Sequence, residues 1–314
     1  MGKIAFVFPG QGSQTVGMGQ SLANEISAAA EIFRKADERL GFSLSDIIFN
    51  GPAEKLTLTE NAQPALLTTS VAILELLKEH GIKADYTAGH SLGEYTALVA
   101  AGAVSFEDAV FAVRKRGEYM EEAVPAGVGT MAAILGMDES ELQAVTEEVT
   151  AKGDTVQLAN LNCPGQIVIS GTKKGVEDAS QLAKERGAKK VIPLVVSGPF
   201  HSILMKPAAE KFVEVLDQIE IKNAEVPVIA NVTASEMAES QDIKEKLIQQ
   251  LYSPVRWEKS IETMLANGVD TFIEIGPGKV LSGLVKKVNR RVNTYAISDQ
   301  ESLLDVVSKL KEDA

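Results

Sequence analysis

Apolar and polar positions along the chain follow an order that predicts strands alternating with helices. Residues Lys3–Phe8 form a short, nearly continuous apolar run that stops at a Pro-Gly pair, as a buried strand does. Helical spacing follows at about 22–40 and again at 64–80. The same pattern returns late in the chain, with a strand at 226–232 and a last helix from about Leu303. This order predicts an α/β fold with a mainly parallel sheet wrapped by helices.

A different order of elements occupies residues 127–195. A strand, an amphipathic helix, two strands that flank Cys163, a second helix and a last strand follow one another there. The order β-α-β-β-α-β is that of a ferredoxin-like unit. We therefore expect a small ferredoxin-like (βαββαβ) subdomain at 127–195, inserted into a large subdomain made of residues 1–126 and 196–314.

Composition narrows the classes of function. The 314 residues are 45% hydrophobic, which is enough for a sizeable core. Because 31 basic residues face 43 acidic ones, the net charge is −12 and repels a phosphate backbone, so we expect no nucleic acid partner. Cys163, the single cysteine of the sequence, cannot form an intramolecular disulfide, and we see neither a signal segment nor an apolar run long enough for a bilayer. These features predict a cytoplasmic protein without a membrane anchor.

Residues 89–93 read Gly-His-Ser-Leu-Gly and fit the G-x-S-x-G nucleophile elbow, in which a serine sits on a sharp strand-to-helix turn. A short apolar run precedes the motif and helical spacing follows it. In that geometry the backbone N–H of Leu92 and the hydroxyl of Ser91 face the same point, which favours negative charge. Three fixed positions in five also recur by chance, so the motif alone leaves the interpretation open.

A serine hydroxyl is a weak nucleophile until a base takes its proton, and the usual base is histidine. The sequence contains three histidines. His80 ends a predicted helix, where a structural role explains it. His90 directly precedes Ser91, so its side chain should point away from the serine. His201 lies in a loop after the inserted unit, and it follows the serine in sequence as in hydrolases with this elbow, which makes it the candidate base.

Arg116 interrupts an apolar helical stripe. It falls with Ala109, Val113 and Met120 on one face of a helix predicted to begin near Ser105. A buried cation requires an anion, either a carboxylate of the protein or that of a substrate, and the spacing alone favours the protein. Its neighbour Arg114 lies on a stripe with carboxylates and is expected to be a solvated surface residue.

With Ser91, His201 and Arg116 in place, the chain resembles the malonyl-CoA:acyl carrier protein transacylases of bacterial fatty acid synthesis, and it is similar to acyltransferase domains of polyketide synthases. The resemblance covers nearly the whole chain and implies an α/β-hydrolase-like core with a ferredoxin-like insertion. The stretches that carry it are FPGQGSQ, GHSLGEYTALVAAG, RKRGEYM, NCPGQIVISG, GPFHS, LYSPVRW and EIGPGKVLSGL.

The resemblance implies catalytic roles at matching positions. Ser91 would form the acyl ester, and His201 would act first as base and then as acid. A backbone carbonyl, here that of Gln250, would orient the histidine. The oxyanion hole would be made by Gln11 and the N–H of Leu92.

The resemblance also implies the substrates. Arg116 would hold the free carboxylate of a malonyl group, which reverses the preference drawn from spacing, and Phe200 before the histidine fits the malonyl type. The acyl group would pass from malonyl-CoA to the phosphopantetheine thiol of acyl carrier protein, with no metal and no redox cofactor. The sequence leaves the oligomeric state open, and a monomer is consistent with it.

Other functions compete for the same residues. An esterase or thioesterase would use the same serine and histidine but release the acyl group to water. A non-catalytic module that binds acyl-CoA or a carrier protein would form no covalent intermediate. Nucleotide binding fits poorly, because no third glycine completes a dinucleotide fingerprint after Gly10 and Gly12, and Lys279 is followed by valine.

An acidic carrier protein would need a local basic patch on a chain of this net charge. Two basic runs are candidates, at residues 286–291 and 186–190. Both could equally be solvated charge runs.

Overall fold

The computed structural model describes residues 2–125 and 127–312. Among these residues the chain forms two β-sheets with helices packed against them. The strands are β1 Lys3–Phe8, β2 Tyr86–Gly89, β3 Gly129–Leu135, β4 Val156–Cys163, β5 Gln166–Thr172, β6 Lys190–Pro193, β7 Val228–Ile229, β8 Glu236–Met237, β9 Val269–Ile275 and β10 Asn293–Ile297. The helices are α1 Gln20–Glu25, α2 Ser27–Leu40, α3 Leu44–Asn50, α4 Ala53–Thr57, α5 Thr59–Glu79, α6 Gly93–Ala100, α7 Phe106–Glu122, α8 Glu139–Ala151, α9 Lys173–Glu185, α10 Lys206–Leu216, α11 Ser240–Gln250, α12 Trp257–Ala266, α13 Val280–Val288 and α14 Gln300–Glu312, with a 3₁₀ turn at Ile203–Met205.

The larger sheet has the strand order β10-β9-β1-β2-β7-β8 and is parallel except at the β7–β8 pair. Side chains of β1 alternate between two cores: Ala5 and Val7 join one cluster of buried residues, while Phe6 and Phe8 join the other. Both faces are therefore covered, as expected for a parallel sheet in an α/β protein. The carboxyl ends of parallel strands meet at one edge, where α/β proteins bind their ligands.

The smaller sheet is antiparallel, with the order β4-β5-β3-β6, and α8 and α9 pack against it. Together with the order of elements along the chain, this is the ferredoxin-like arrangement. The predicted fold class, a parallel α/β core with a ferredoxin-like unit, is confirmed. A backbone link joins the two parts of the fold, because Val255 N donates to Ala159 O at 2.8 Å and Leu161 N donates to Val255 O at 2.9 Å.

Several element boundaries differ from those predicted. The helix expected at 22–40 is two helices, separated by Ile26, which is extended and packs against the core. The strand expected at 226–232 is reduced to Val228–Ile229, because Pro227 has no N–H for the ladder and the N–H of Asn231 donates to the Glu94 side chain. The last helix begins three residues early, at Gln300 rather than at about Leu303. Its predecessors α13 and β10 are short and were not predicted.

The predicted pairing of Arg114 with a carboxylate of its own helix is confirmed, but its predicted exposure to solvent was wrong. Its surroundings also explain why α5 can contain a proline. Pro64 lies inside α5 and has no N–H to donate to the carbonyl of Glu60, four residues earlier. The guanidinium of Arg114 donates to that carbonyl instead, at 3.0 Å, and also bonds to Glu118 at 2.7 Å. Only 17% of the Arg114 side chain is exposed, so it is a link between α5 and α7 rather than a solvated surface residue.

None of the helices in the described ranges combines the length and the apolar character that a membrane crossing requires.

Candidate active site

Ser91 sits on the sharp turn between β2 and α6 that the sequence predicted. Its φ is +52°, a left-handed conformation that is costly for a residue with a side chain. The flanking glycines are required by space: a Cβ on Gly89 would lie 1.9 Å from the Gly93 carbonyl, and one on Gly93 would lie 2.1 Å from the Phe8 oxygen. The turn therefore packs directly against the end of β1 and presents the serine at the carboxyl edge of the sheet.

His201 reaches Ser91 from the loop that follows the smaller sheet. Its Nε2 lies 2.7 Å from Ser91 Oγ, and its Nδ1 lies 2.8 Å from the backbone oxygen of Gln250. Since a carbonyl only accepts, Nδ1 carries the proton and Nε2 is left to accept from the serine hydroxyl. Folding brings together the serine, the histidine and the carbonyl that the sequence singled out, in the geometry of a nucleophile with an oriented base.

The imidazole of His201 is buried, and this decides its protonation state. Burial lowers the pKa of His201 to about 3, with a further lowering by the charge of Arg116 and a smaller opposing effect from the Gln250 carbonyl. The ring is therefore neutral near pH 7, which is the form that accepts a proton.

Arg116 projects from α7 to the same point. Its side chain is buried, and Nη2 lies 3.2 Å from Ser91 Oγ. Its other partners are amide oxygens: Nη1 donates to Gln63 Oε1 at 2.7 Å, and Nη2 donates to Gln250 Oε1 at 2.9 Å. Within residues 2–125 and 127–312 it makes no ion pair with a carboxylate, and Nε has no hydrogen-bond partner. The protein carboxylate favoured by spacing alone is not a direct partner of Arg116 in this part of the chain.

Gln11 and Leu92 line the same cavity as Ser91 and His201. Gln11 follows the end of β1, and its Nε2 donates to Thr59 Oγ1 at 3.3 Å. Leu92 is the first residue of the turn into α6, where helix N–H groups point outward. A cavity of about 180 Å³ is lined by both residues together with Ser91, His201 and Arg116. Its further lining residues include His90, Met120, Met131, Asn160, Leu194, Val196 and Phe200.

The two remaining histidines are held away from the serine hydroxyl. His90 Nε2 bonds to Asn162 Oδ1 at 2.8 Å, and its ring meets Trp257 edge-on at 5.7 Å. His80 ends α5, as predicted. Their positions agree with the prediction that neither His80 nor His90 is the base for Ser91.

Three polar side chains behind the serine were not predicted. Asn231 Oδ1 accepts from Ser91 N at 2.8 Å, and its Nδ2 donates to Gly89 O at 2.7 Å. Glu94 is fully buried and accepts from Asn231 N at 2.8 Å and from the amide of Gln250. Gln63 Oε1 accepts a hydrogen bond from Arg116 Nη1, as described above. A signal for Glu94 was present, because it is the single Asp, Glu, Lys or Arg in the otherwise uncharged stretch 87–102.

Comparison with known proteins identifies the family. The model of the acyl transferase domain matches residues 5–313. A protein from Bacillus subtilis named malonyl CoA-acyl carrier protein transacylase is 68% identical over 313 residues, covering 100% of this chain and 99% of the relative. The chain belongs to the malonyl CoA-acyl carrier protein transacylases.

Solved structures of this transacylase family share the fold. The malonyl CoA-acyl carrier protein transacylase from Coxiella burnetii superposes with a TM-score of 0.95 at 43% identity, covering 98% of both chains. A malonyl-transacylase solved in complex with its type II PKS acyl-carrier protein has a TM-score of 0.94 at 43% identity, covering 98% of this chain and 99% of that one. This chain is therefore an acyltransferase with the α/β fold of the transacylases.

Proposed function

We propose that this chain transfers the malonyl group from malonyl-CoA to the phosphopantetheine thiol of acyl carrier protein, through an ester on Ser91, in fatty acid biosynthesis. The names of its relatives support the substrates, and the solved complex of a related transacylase with a carrier protein supports the partner. One observation carries the mechanism: Ser91 Oγ lies 2.7 Å from His201 Nε2 and 3.2 Å from Arg116 Nη2.

The first half-reaction acylates the serine. His201 Nε2 takes the hydroxyl proton as Ser91 Oγ attacks the thioester carbonyl of malonyl-CoA. The oxyanion that forms is stabilised by donors from Gln11 and Leu92, and removing one such donor typically costs on the order of 10²- to 10³-fold in rate. The carbon–sulfur bond then breaks, and CoA leaves as a thiol after its sulfur receives the proton from His201.

The second half-reaction reverses these steps with a different thiol. His201 takes the proton of the phosphopantetheine thiol, whose sulfur attacks the ester carbonyl. The ester bond breaks, and the proton returns to Ser91 Oγ. All the proton transfers use residues of this chain, so the proposal requires neither a metal nor a redox cofactor.

Arg116 selects the acyl group in this proposal. Its guanidinium borders the cavity beside Ser91, where the free carboxylate of a malonyl group would lie. A charge-assisted hydrogen bond contributes about 1.5–3 kcal/mol. That energy corresponds to a preference of roughly 10- to 150-fold for malonyl over acetyl.

The carrier-protein surface and the location stay predictions. Lys286 and Lys287 in the first basic run bond to the backbone oxygen of Val292 and to the side chain of Gln166, while Arg186 in the second run pairs with Glu148. Both runs stay candidates for docking the carrier protein. The cytoplasmic location and the monomeric state are part of the proposal.

Transfer to a carrier protein is the test that separates this function from that of a thioesterase. Malonyl-CoA is mixed with the enzyme in the presence and absence of acyl carrier protein bearing phosphopantetheine, and malonyl-carrier protein and free malonate are measured. We expect rapid malonyl-carrier protein formation and slow malonate release. In Arg116→Ala we expect the malonyl-over-acetyl ratio to fall at least about tenfold.

Rapid release of malonate with no dependence on the carrier protein would instead indicate a thioesterase. An Arg116→Ala enzyme that kept the wild-type acyl preference would remove Arg116 from the proposal. Lys115→Ala is the matched control, because Lys115 pairs with Glu118 on the same helix and does not line the cavity, and it should leave the acyl preference unchanged.

A further inference from the structure

The carboxylate of Glu94 is fully buried behind the nucleophile, and the reaction described above gives it no role. It lies in the first turn of α6, three residues after Ser91. A buried carboxylate is costly unless hydrogen bonds and opposite charge compensate it. Its two oxygens accept from Asn231 N at 2.8 Å and from Gln250 Nε2, so both of its direct contacts are with residues that also contact the site.

The first contact determines how Gln250 faces Arg116. Gln250 Nε2 donates to Glu94 and to the backbone oxygen of Ser91 at 2.9 Å, which leaves Oε1 to accept from Arg116 Nη2 at 2.9 Å. Turning the amide over would place its NH₂ group against the guanidinium and its oxygen against the carboxylate. Because an ionised Glu94 only accepts and Arg116 only donates, a single orientation of the amide satisfies both.

The second contact holds the strained turn. The backbone N–H of Asn231 is fixed by Glu94, and the Asn231 side chain bonds to Ser91 N at 2.8 Å and to Gly89 O at 2.7 Å. These bonds hold the backbone from Gly89 up to the N–H of Ser91, the residue whose φ is +52°. A left-handed residue persists where the surrounding structure holds it in place. Here Asn231 holds Ser91, and Glu94 in turn holds Asn231.

In its ionised form Glu94 also provides negative charge close to the cation. Burial raises the pKa of Glu94 to about 7, while the hydrogen bonds from Asn231 and Gln250, and then the charge of Arg116, favour its ionised form. In the described part of the chain Arg116 has only neutral hydrogen-bond partners, and Glu94 lies one amide away from it. Electrostatic attraction across a buried amide is screened far less than it would be in water.

We infer that Glu94 is a positioning residue for acyl selection: through Gln250 it holds the guanidinium of Arg116 toward the substrate carboxylate, and through Asn231 it holds the Ser91 turn. This inference rests on the proposed function and deepens it. It predicts that loss of the carboxylate disturbs the malonyl preference as well as the rate.

The test compares three purified variants with the wild type. Glu94→Gln replaces one acceptor oxygen by an NH₂ group, which must face the N–H of Asn231 or the amide of Gln250. Glu94→Asp keeps the charge but withdraws it by one methylene. Glu274→Gln is the matched control, because Glu274 is an equally buried carboxylate whose partners, Leu281 and Ser282, lie at the start of α13. For each protein, kcat/KM is measured for malonyl-CoA and for acetyl-CoA, together with the melting temperature.

We expect Glu94→Gln to lower kcat/KM for malonyl-CoA at least about tenfold and to lower the malonyl-over-acetyl ratio, because an unsatisfied buried donor displaces the Arg116 guanidinium. Glu94→Asp should fall between Glu94→Gln and the wild type. Glu274→Gln should lower the melting temperature while leaving the ratio unchanged, since a purely structural loss does not act on acyl choice.

A folded Glu94→Gln enzyme whose ratio stays within about twofold of the wild type would overturn the inference. If Glu94→Gln does not fold, Glu94→Asp decides: a lowered ratio supports the inference, and a wild-type ratio overturns it. Failure of the proposed function gives a different result, because the wild-type enzyme itself would then form no malonyl-carrier protein.

Discussion

At the scale of single residues, the site depends on two residues with strained backbone conformations. Ser91 and His201 have φ values of +52° and +55°, and each such conformation costs on the order of 1–2 kcal/mol in a residue with a side chain. Asn231 holds the first, and Gln157 holds the second by bonding to His201 O at 3.4 Å and to Ile203 N at 2.8 Å. The strain is compensated by side chains with no part in the chemistry, which is typical of active sites.

The lowered pKa of His201 predicts how stability depends on pH. The unfolded chain carries a histidine with an ordinary pKa of about 6.5. Burial lowers the pKa of the folded protein's His201 to about 3, so between these values the unfolded state binds a proton that the folded state excludes. The free energy of unfolding should therefore fall as the pH drops below 6.5, by at most about 1.4 kcal/mol per pH unit from this group.

The contribution of His201 is isolated by comparing the wild type with His201→Gln in urea unfolding at pH 7 and pH 5. The variant should lose less stability than the wild type over this interval, because it has no imidazole to protonate at that position. Equal losses in the two proteins would show that His201 is not held neutral by the fold.

At the scale of elements, parallel strands bring the reacting groups to one edge. β1, β2 and β7 end just before Gln11, Ser91 and Asn231, so three segments distant in sequence meet at the carboxyl edge of the sheet. The helices α5 and α7 pack beside this edge and carry Gln63 and Arg116. The packing of α5 against α7 therefore affects the position of the Arg116 guanidinium.

The pairing of α5 with α7 predicts a specific energetic coupling. Arg114 replaces the amide that Pro64 cannot offer to the Glu60 carbonyl, and a hydrogen bond from a charged group contributes about 1.5–3 kcal/mol. Arg114→Leu should therefore destabilise the protein, and it should cost about 1 kcal/mol less in a Pro64→Ala background, where the alanine N–H can bond to Glu60 O. Equal costs of Arg114→Leu in the two backgrounds, measured by urea unfolding, would contradict this account.

At the scale of the whole molecule, the sequence predicted what depends on local pattern and on short motifs. The strand-turn-helix at Ser91, the apolar face of α7 and the ferredoxin-like order of elements all followed from periodicity and glycine spacing. The contact of His201 with Ser91 followed from elimination among three histidines.

What escaped prediction depends on contacts between distant segments. Asn231 and the side chain of Gln250 have ordinary surroundings in sequence, and only folding joins them with Glu94 into one network. Arg114 has the spacing of a surface residue, but its role depends on a proline about 50 residues earlier. The exact ends of β7 and of the helices depend on which backbone groups find partners in the tertiary structure.

The central claim is that Ser91 Oγ becomes a malonyl ester, and the mass of the intact protein tests it most directly. After brief mixing with malonyl-CoA, the wild-type protein should gain the mass of one malonyl group, located on the peptide that contains Ser91. Ser91→Ala should gain none, and added carrier protein with phosphopantetheine should remove the group from the wild type. An unmodified wild-type protein that still produces malonyl-carrier protein, or an adduct that persists in Ser91→Ala, would contradict the account.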